Sequence, residues 1–129
     1  MKATARRRKG YAHTVTFGHH TLIVDEPEEE GGADTGPRPT ALLAMSLASC
    51  TAITIEMYAA RKGWDLEDVE VEVDYQLDPK GTSRFDVVLK LPGALSDEQA
   101  ERLGAIACKC PVHRVLEGDV DITDRVERV

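Results

Sequence analysis

Three cysteines, at positions 50, 108 and 110, are the side chains best able to do chemistry in this sequence. A thiol reacts as its thiolate: at a free pKa near 8.5 only ~3% is ionised at pH 7, whereas a pKa near 6 gives ~90%. Cys110 precedes Pro111, and proline suits the first position of a helix. The Cys110 sulfur is therefore expected where the free N–H groups of a first helical turn point. His113 and Arg114, three and four residues on, add a proton acceptor and a positive charge at helical spacing. These features lower a thiol pKa; the alternative is a small buried residue with ordinary cationic neighbours. Cys50 sits among Ser46, Ser49, Thr51 and Thr54, with no charge within one turn. Burial alone would raise its pKa and make it inert, so reactivity needs a cation or base from elsewhere. A core cysteine is the competing reading. Cys108, Cys110 and His113 have a Cys-x-Cys-x2-His spacing that, with Cys50, would give four metal ligands. One compact cluster lacks the second knuckle of structural zinc sites, so no metal and no cofactor is expected.

The elements that must position these residues follow from periodicity. Tyr11, His13, Val15 and Phe17 alternate with Ala12, Thr14 and Thr16, the period of a strand. Gly18 permits a turn, with His19 and His20 as surface residues, and Thr21 to Val24 returns. Residues 25–39 hold Glu26, Glu28, Glu29 and Glu30 with Gly31, Gly32, Gly36 and Pro37, and read as a flexible acidic loop. Residues 40–62 form the clearest helix, with Pro39 at its first turn, Arg61 and Lys62 at its last and Gly63 as a left-handed cap. The middle is apolar on nearly every side, so the helix is expected to be the buried central element, with Cys50 near its midpoint. Val69 to Leu77 alternates with Glu70, Glu72, Asp74 and Gln76 as a half-exposed antiparallel strand. Residues 79–83 turn the chain, and Phe85, Val87, Leu89 and Leu91 form the second arm. Ser96 with Gln99 makes a capping box for a helix to about Ala107. A short helix runs from Pro111 and closes at Gly118. Val120, Ile122 and Val126 are expected in a final strand. Strand pairs set apart from helices predict an α+β fold.

The chain has 129 residues, the length of one domain, 1–129, with a modest core. Sixteen basic and 23 acidic residues leave a net charge of −7, and an acidic surface repels phosphate backbones, so nucleic acid is not expected as a partner. The basic run Arg6-Arg7-Arg8-Lys9 reads as a solvated chain end. No apolar stretch follows it as in a signal peptide. The apolar run from Ala41 to Ile55 is interrupted by Ser46, Ser49, Thr51 and Thr54 and falls short of the ~20 residues that span a bilayer. A cytoplasmic protein without a membrane partner is expected, and three cysteines do not make a disulfide framework.

Two segments carry a family resemblance. One runs Gly36-Pro37-Arg38-Pro39-Thr40-Ala41-Leu42-Leu43 and on through Ser46-Leu47-Ala48-Ser49-Cys50-Thr51-Ala52. The other is Cys110-Pro111-Val112-His113-Arg114 with Leu116-Glu117-Gly118. Together, with Ala60-Arg61-Lys62-Gly63-Trp64 between them, they resemble the OsmC/Ohr family in its short OsmC-like branch. The resemblance implies an intertwined, strand-exchanged homodimer with long helices buried together and antiparallel sheets. It implies an organic hydroperoxide substrate and two sites at the dimer interface, with Cys50 as peroxidatic and Cys110 as resolving cysteine. It also implies a dithiol reductant, a lipoyl group or a thioredoxin-like partner. Where many relatives carry Glu after the helix-opening proline, this sequence has Thr40 and Ala41. Where active relatives bring an arginine from the N-terminal strands, the hairpin has His19 and His20; Arg38 or Arg8 is the substitute. The alternative is a non-catalytic small-ligand or thiol-binding module on the same fold.

Overall fold

In a computed structural model, which describes residues 1–129, the chain opens on a strand that its sequence conceals. β1 (Ala3–Lys9) carries Arg6, Arg7 and Arg8 and is exposed along its whole length. It has no apolar alternation and was expected to be a solvated end. Backbone pairing alone defines it: it runs antiparallel to β2 (Ala12–Phe17), with a register shift between Arg7 and Lys9. β2 pairs in turn with β3 (His20–Val24), completing a three-stranded antiparallel sheet in the order β1-β2-β3. Gly18, at φ +59°, makes the turn between β2 and β3 in a conformation only glycine adopts cheaply.

The loop after β3, expected to be flexible, is organised around one carboxylate. Asp25 is buried and accepts from the backbone N–H groups of Glu26, Ala33 and Thr35 at 2.8, 3.3 and 3.1 Å, and from the Thr35 hydroxyl at 2.7 Å. A 3-10 turn at Glu28–Glu30 ends on Gly31 at φ +88°. The hydrogen bonds to Asp25, led by the Thr35 hydroxyl, hold its carboxyl down at about 2.

α1 (Pro39–Lys62) starts on the proline. It stops in a Schellman motif: Trp64 N–H donates to Ala59 O at 2.9 Å, Gly63 N–H to Ala60 O at 3.2 Å, and Gly63 lies at φ +72°. Within a single chain the helix is buried on one side only. Only Leu47, Thr51, Ile55 and Ala59, one stripe at four-residue spacing, are buried. Leu43, Met45, Ile53 and Met57 are 40–58% exposed. At 24 residues the whole helix is also long and apolar enough to cross a membrane by length and composition, unlike its apolar middle considered alone. A core helix of a soluble protein meets the same test.

β4 (Glu70–Gln76) and β5 (Arg84–Lys90) form a separate two-stranded sheet. Val71, Val73 and Tyr75 are half-buried, and the acidic residues between them are exposed. α2 (Asp97–Ala107) begins with the reciprocal capping box of Ser96 and Gln99, as the sequence predicts. α3 (Pro111–Glu117) follows after a tight turn, with Cys110 as its N-cap and Gly118 at its end. Beyond Gly118 there is no strand: residues 119–129 are irregular, and Ile122 and Val126 are exposed. Alternation there finds no neighbouring strand to pair with.

The chain falls into two compact units: Met1–Met45 with Tyr75–Phe85, and Ser46–Asp74 with Asp86–Val129. The second unit holds the main core, in which Ile55, Ala59, Leu66, Leu103, Ile106 and Ala107 pack together under Val69, Val71, Leu89 and Leu91. Full burial of a side chain such as Leu103 or Ile55 contributes about 1.5–3 kcal/mol. All three cysteines belong to this unit.

Candidate functional site

The core stripe of α1 sets the site. Cys50 precedes the buried Thr51 and is itself half-buried. The turn after α2 brings the N-cap of α3 to it. Lys109 N–H donates to Ile106 O at 2.9 Å and Cys110 N–H to Ala107 O at 3.3 Å, which reverses the chain. Cys110 then lies fully buried, 0% exposed, and its sulfur accepts the His113 N–H at 3.4 Å. Two residues 60 positions apart in sequence thus become neighbours: the Cys110 side chain is close enough to perturb the ionisation of Cys50, and both thiols are free.

The electrostatics of Cys50 are those of a protected thiol. Burial, and then the adjacent Cys110 sulfur, push its pKa above the ordinary thiol value. The backbone N–H of Val112 and the Thr54 hydroxyl oppose that rise by hydrogen bonding to the sulfur. No cation is among these groups. Thr54 stands four residues along the same helix, a spacing legible in sequence; the Val112 N–H is a backbone group at the start of α3, which no residue type signals.

The supporting candidates are dispersed. Arg38 lies 3.8 Å from Glu26 in an ion pair beside the Asp25 loop. Arg114 is exposed. His113 is half-buried, with Nδ1 at 3.3 Å from Glu117 Oε2 but outside hydrogen-bonding geometry. Cys108 is exposed and turns its S–H back to the Gly104 carbonyl at 3.6 Å. Cys50, Cys108, Cys110 and His113 do not gather as a ligand set, and no group of three His, Cys, Asp or Glu side chains is poised to hold a metal ion.

An α+β architecture with antiparallel sheets and a cysteine pair between a long helix and a Cys-Pro turn defines a class of protein. Residues 31–124 match the OsmC-like protein family, and the chain belongs to it. An uncharacterized protein of Haloferax volcanii is 30% identical over 121 residues, covering 88% of this chain and 86% of that protein. Among solved structures, an organic hydroperoxide resistance protein OsmC from Legionella pneumophila superimposes with a TM-score of 0.64 at 28% identity, covering 94% of this chain and 93% of its own. An osmotic stress induced and detoxification response protein from Psychrobacter arcticus gives 0.76 at 22% identity, over 88% of this chain and 85% of its own, a likeness of fold.

Proposed function

We propose that this protein is a thiol-dependent peroxidase that reduces organic hydroperoxides, with Cys50 as the peroxidatic and Cys110 as the resolving cysteine. The proximity of these two thiols, close enough for Cys110 to perturb the ionisation of Cys50, carries the reading. The Cys50 thiolate attacks the outer oxygen of the hydroperoxide. The O–O bond breaks, the alcohol leaves with a proton, and Cys50 becomes a sulfenic acid. The Cys110 sulfur then attacks the Cys50 sulfur, water leaves, and a disulfide forms. A dithiol, a lipoyl group or a thioredoxin-like protein, returns both thiols by exchange. Relatives of matching length named for organic hydroperoxide resistance support the substrate class.

The same reading makes the protein a cytoplasmic, strand-exchanged homodimer in which residues 1–129 act as one domain. The exposed apolar residues of α1 support an obligate partner, since an apolar stripe of that size is costly in water. The cation that ionises Cys50 is then drawn from Arg38 or, across the dimer, Arg8 of β1, while Arg114 and His113 flank Cys110. Intact-mass analysis after one equivalent of cumene hydroperoxide tests the scheme. Wild type should lose two hydrogens and show a Cys50–Cys110 link on peptide mapping. Cys110→Ser should gain one oxygen at Cys50, and Cys50→Ser should show neither change. An oxidised wild type whose linkage leaves Cys50 out defeats the proposal.

One observation favours a second reading, a non-catalytic thiol or small-ligand module: burial and the Cys110 thiol raise the pKa of Cys50, and the groups that oppose the rise are the Val112 N–H and the Thr54 hydroxyl, not a cation. Under that reading Cys50 alkylates no faster than a free thiol at pH 7, and the dimer consumes no hydroperoxide.

A further inference from the structure

A cleft of about 610 Å³ lies between the last turns of α1 and α2, inside one compact unit and lined by none of the three cysteines. That volume is ordinary for a small-molecule site. Tyr58 is its hub. Lys62 Nζ and Arg102 Cζ lie 5.7 and 5.6 Å from the Tyr58 ring centroid, inside the range of a cation–π contact. Trp64 meets the same ring in a T-shaped contact at 5.7 Å. Arg102 Nε donates to the Tyr58 hydroxyl at 3.0 Å. Glu98 lines the same cleft one turn before Arg102, in the order that favours an ion pair on a helix. The guanidinium nevertheless bonds the phenol, and neither Arg102 nor Lys62 pairs with a carboxylate of the chain. In a molecule of net charge −7, two cations thus converge on one aromatic ring. Arg102, first by its hydrogen bond and then by its charge, lowers the pKa of the phenol, and Lys62 adds to the effect. The field at that oxygen therefore favours negative charge.

We propose that this cleft is a binding site for a small aromatic monocarboxylate, with the carboxylate between Arg102 and Lys62 and the ring against Tyr58 and Trp64. The bond from Arg102 Nε to Tyr58 fixes the guanidinium plane and leaves its two Nη groups for a carboxylate. Holding the cation in place beforehand reduces the ordering cost of binding. The half-buried rings of Tyr58 and Trp64 offer apolar surface to a flat ligand. Glu98 and Glu101 line the cleft as well, and their charges oppose a ligand carrying more than one negative charge. The site is separate from the cysteine pair: Tyr58 follows Cys50 by eight residues on α1, about 12 Å along the helix axis. Occupancy therefore does not depend on the redox state of the thiols or on the peroxidase reading.

The test titrates the full chain with phenylacetate, read by calorimetry and by the emission of Trp64, the one tryptophan of the sequence. Saturable heat with a matching change in Trp64 emission is expected. Phenylacetamide, the neutral isostere, should bind at least tenfold more weakly. Arg102→Gln, an exposed substitution, should weaken phenylacetate about tenfold or more, the worth of a hydrogen bond to a charged group, and leave phenylacetamide unchanged. Lys62→Gln, also exposed, should weaken phenylacetate in the same direction. Pyrophosphate should bind less tightly than phenylacetate. An absence of saturable binding by phenylacetate, equal binding of phenylacetamide, or an Arg102→Gln variant with wild-type affinity overturns the site. Pyrophosphate binding as tightly as phenylacetate overturns the aromatic monocarboxylate as its ligand.

Discussion

At the scale of single residues, the ionisation of Cys50 governs everything the site can do. Burial and the Cys110 sulfur raise its pKa, and the Thr54 hydroxyl and Val112 N–H hold the rise in check. Replacing Thr54 with Val removes one donor to the sulfur and should slow iodoacetamide alkylation of Cys50 at pH 7 by about fivefold, as one hydrogen bond of ~1 kcal/mol is lost. An unchanged rate would mean that Thr54 does not bond the reactive form. The linkage to folding has a definite sign. A thiol with a raised folded pKa keeps its proton longer than the unfolded chain does, so its contribution to stability is present below the unfolded thiol value and declines as pH rises through the folded one. Wild type should therefore lose urea stability above pH 8.5 more steeply than Cys50→Ala. Leu103, 0% exposed in the core beneath the β4–β5 hairpin, is a residue of another kind. Leu103→Ala should cost 2–5 kcal/mol in urea unfolding, about the range for a buried leucine.

Among the elements, the Asp25 loop is the one most dependent on single groups. Its carboxyl stays ionised down to about 2 because the Thr35 hydroxyl and three N–H groups bond the charged form. A lowered folded pKa stabilises the fold above the unfolded carboxylate value, and that stability disappears as pH falls toward 2. Asp25→Asn should thus flatten the acid limb of the stability profile between pH 4 and 2, followed by circular dichroism. Gly36 is constrained from another side: a Cβ there would stand 2.1 Å from the Ile23 carbonyl oxygen. Gly36→Ala should destabilise by about 1–3 kcal/mol, as overpacking does. Local rules made some elements readable in advance. Ser96 with Gln99, and Pro111 with Gly118, mark helix ends through the chemistry of the first and last turns, and the structure places α2 and α3 there. β1 was unreadable because nothing in its arginines alternates; only its hydrogen bonds to β2 make it a strand. The loop gave no sign that Asp25 would gather partners up to ten residues away. The meeting of Cys50 with Cys110 was suggested by family motifs and not by spacing, because the turn between α2 and α3 is a tertiary feature.

For the whole molecule, the question is what covers α1. A helix of this composition inside one chain should bury most of its circumference, yet Met45, Ile53 and Met57 stand at least half exposed. Burying the exposed half of each such side chain against a partner is worth about 0.7–1.5 kcal/mol, half the value of full burial, so several of them on both copies of a two-fold contact favour a dimer. A two-fold interface repeats every substitution, which doubles its effect. Ile53→Asp with Met57→Asp should therefore convert a dimer into a monomer in light scattering at micromolar protein. The Leu47, Thr51, Ile55 and Ala59 stripe, on the core side, should keep each chain helical by circular dichroism. If the proposed site needs a group from the partner, that monomer should also lose hydroperoxide turnover while its Cys50 and Cys110 remain able to link under diamide. A wild type that is already monomeric at micromolar concentration would remove the partner from the scheme and leave the exposed stripe without a role in assembly.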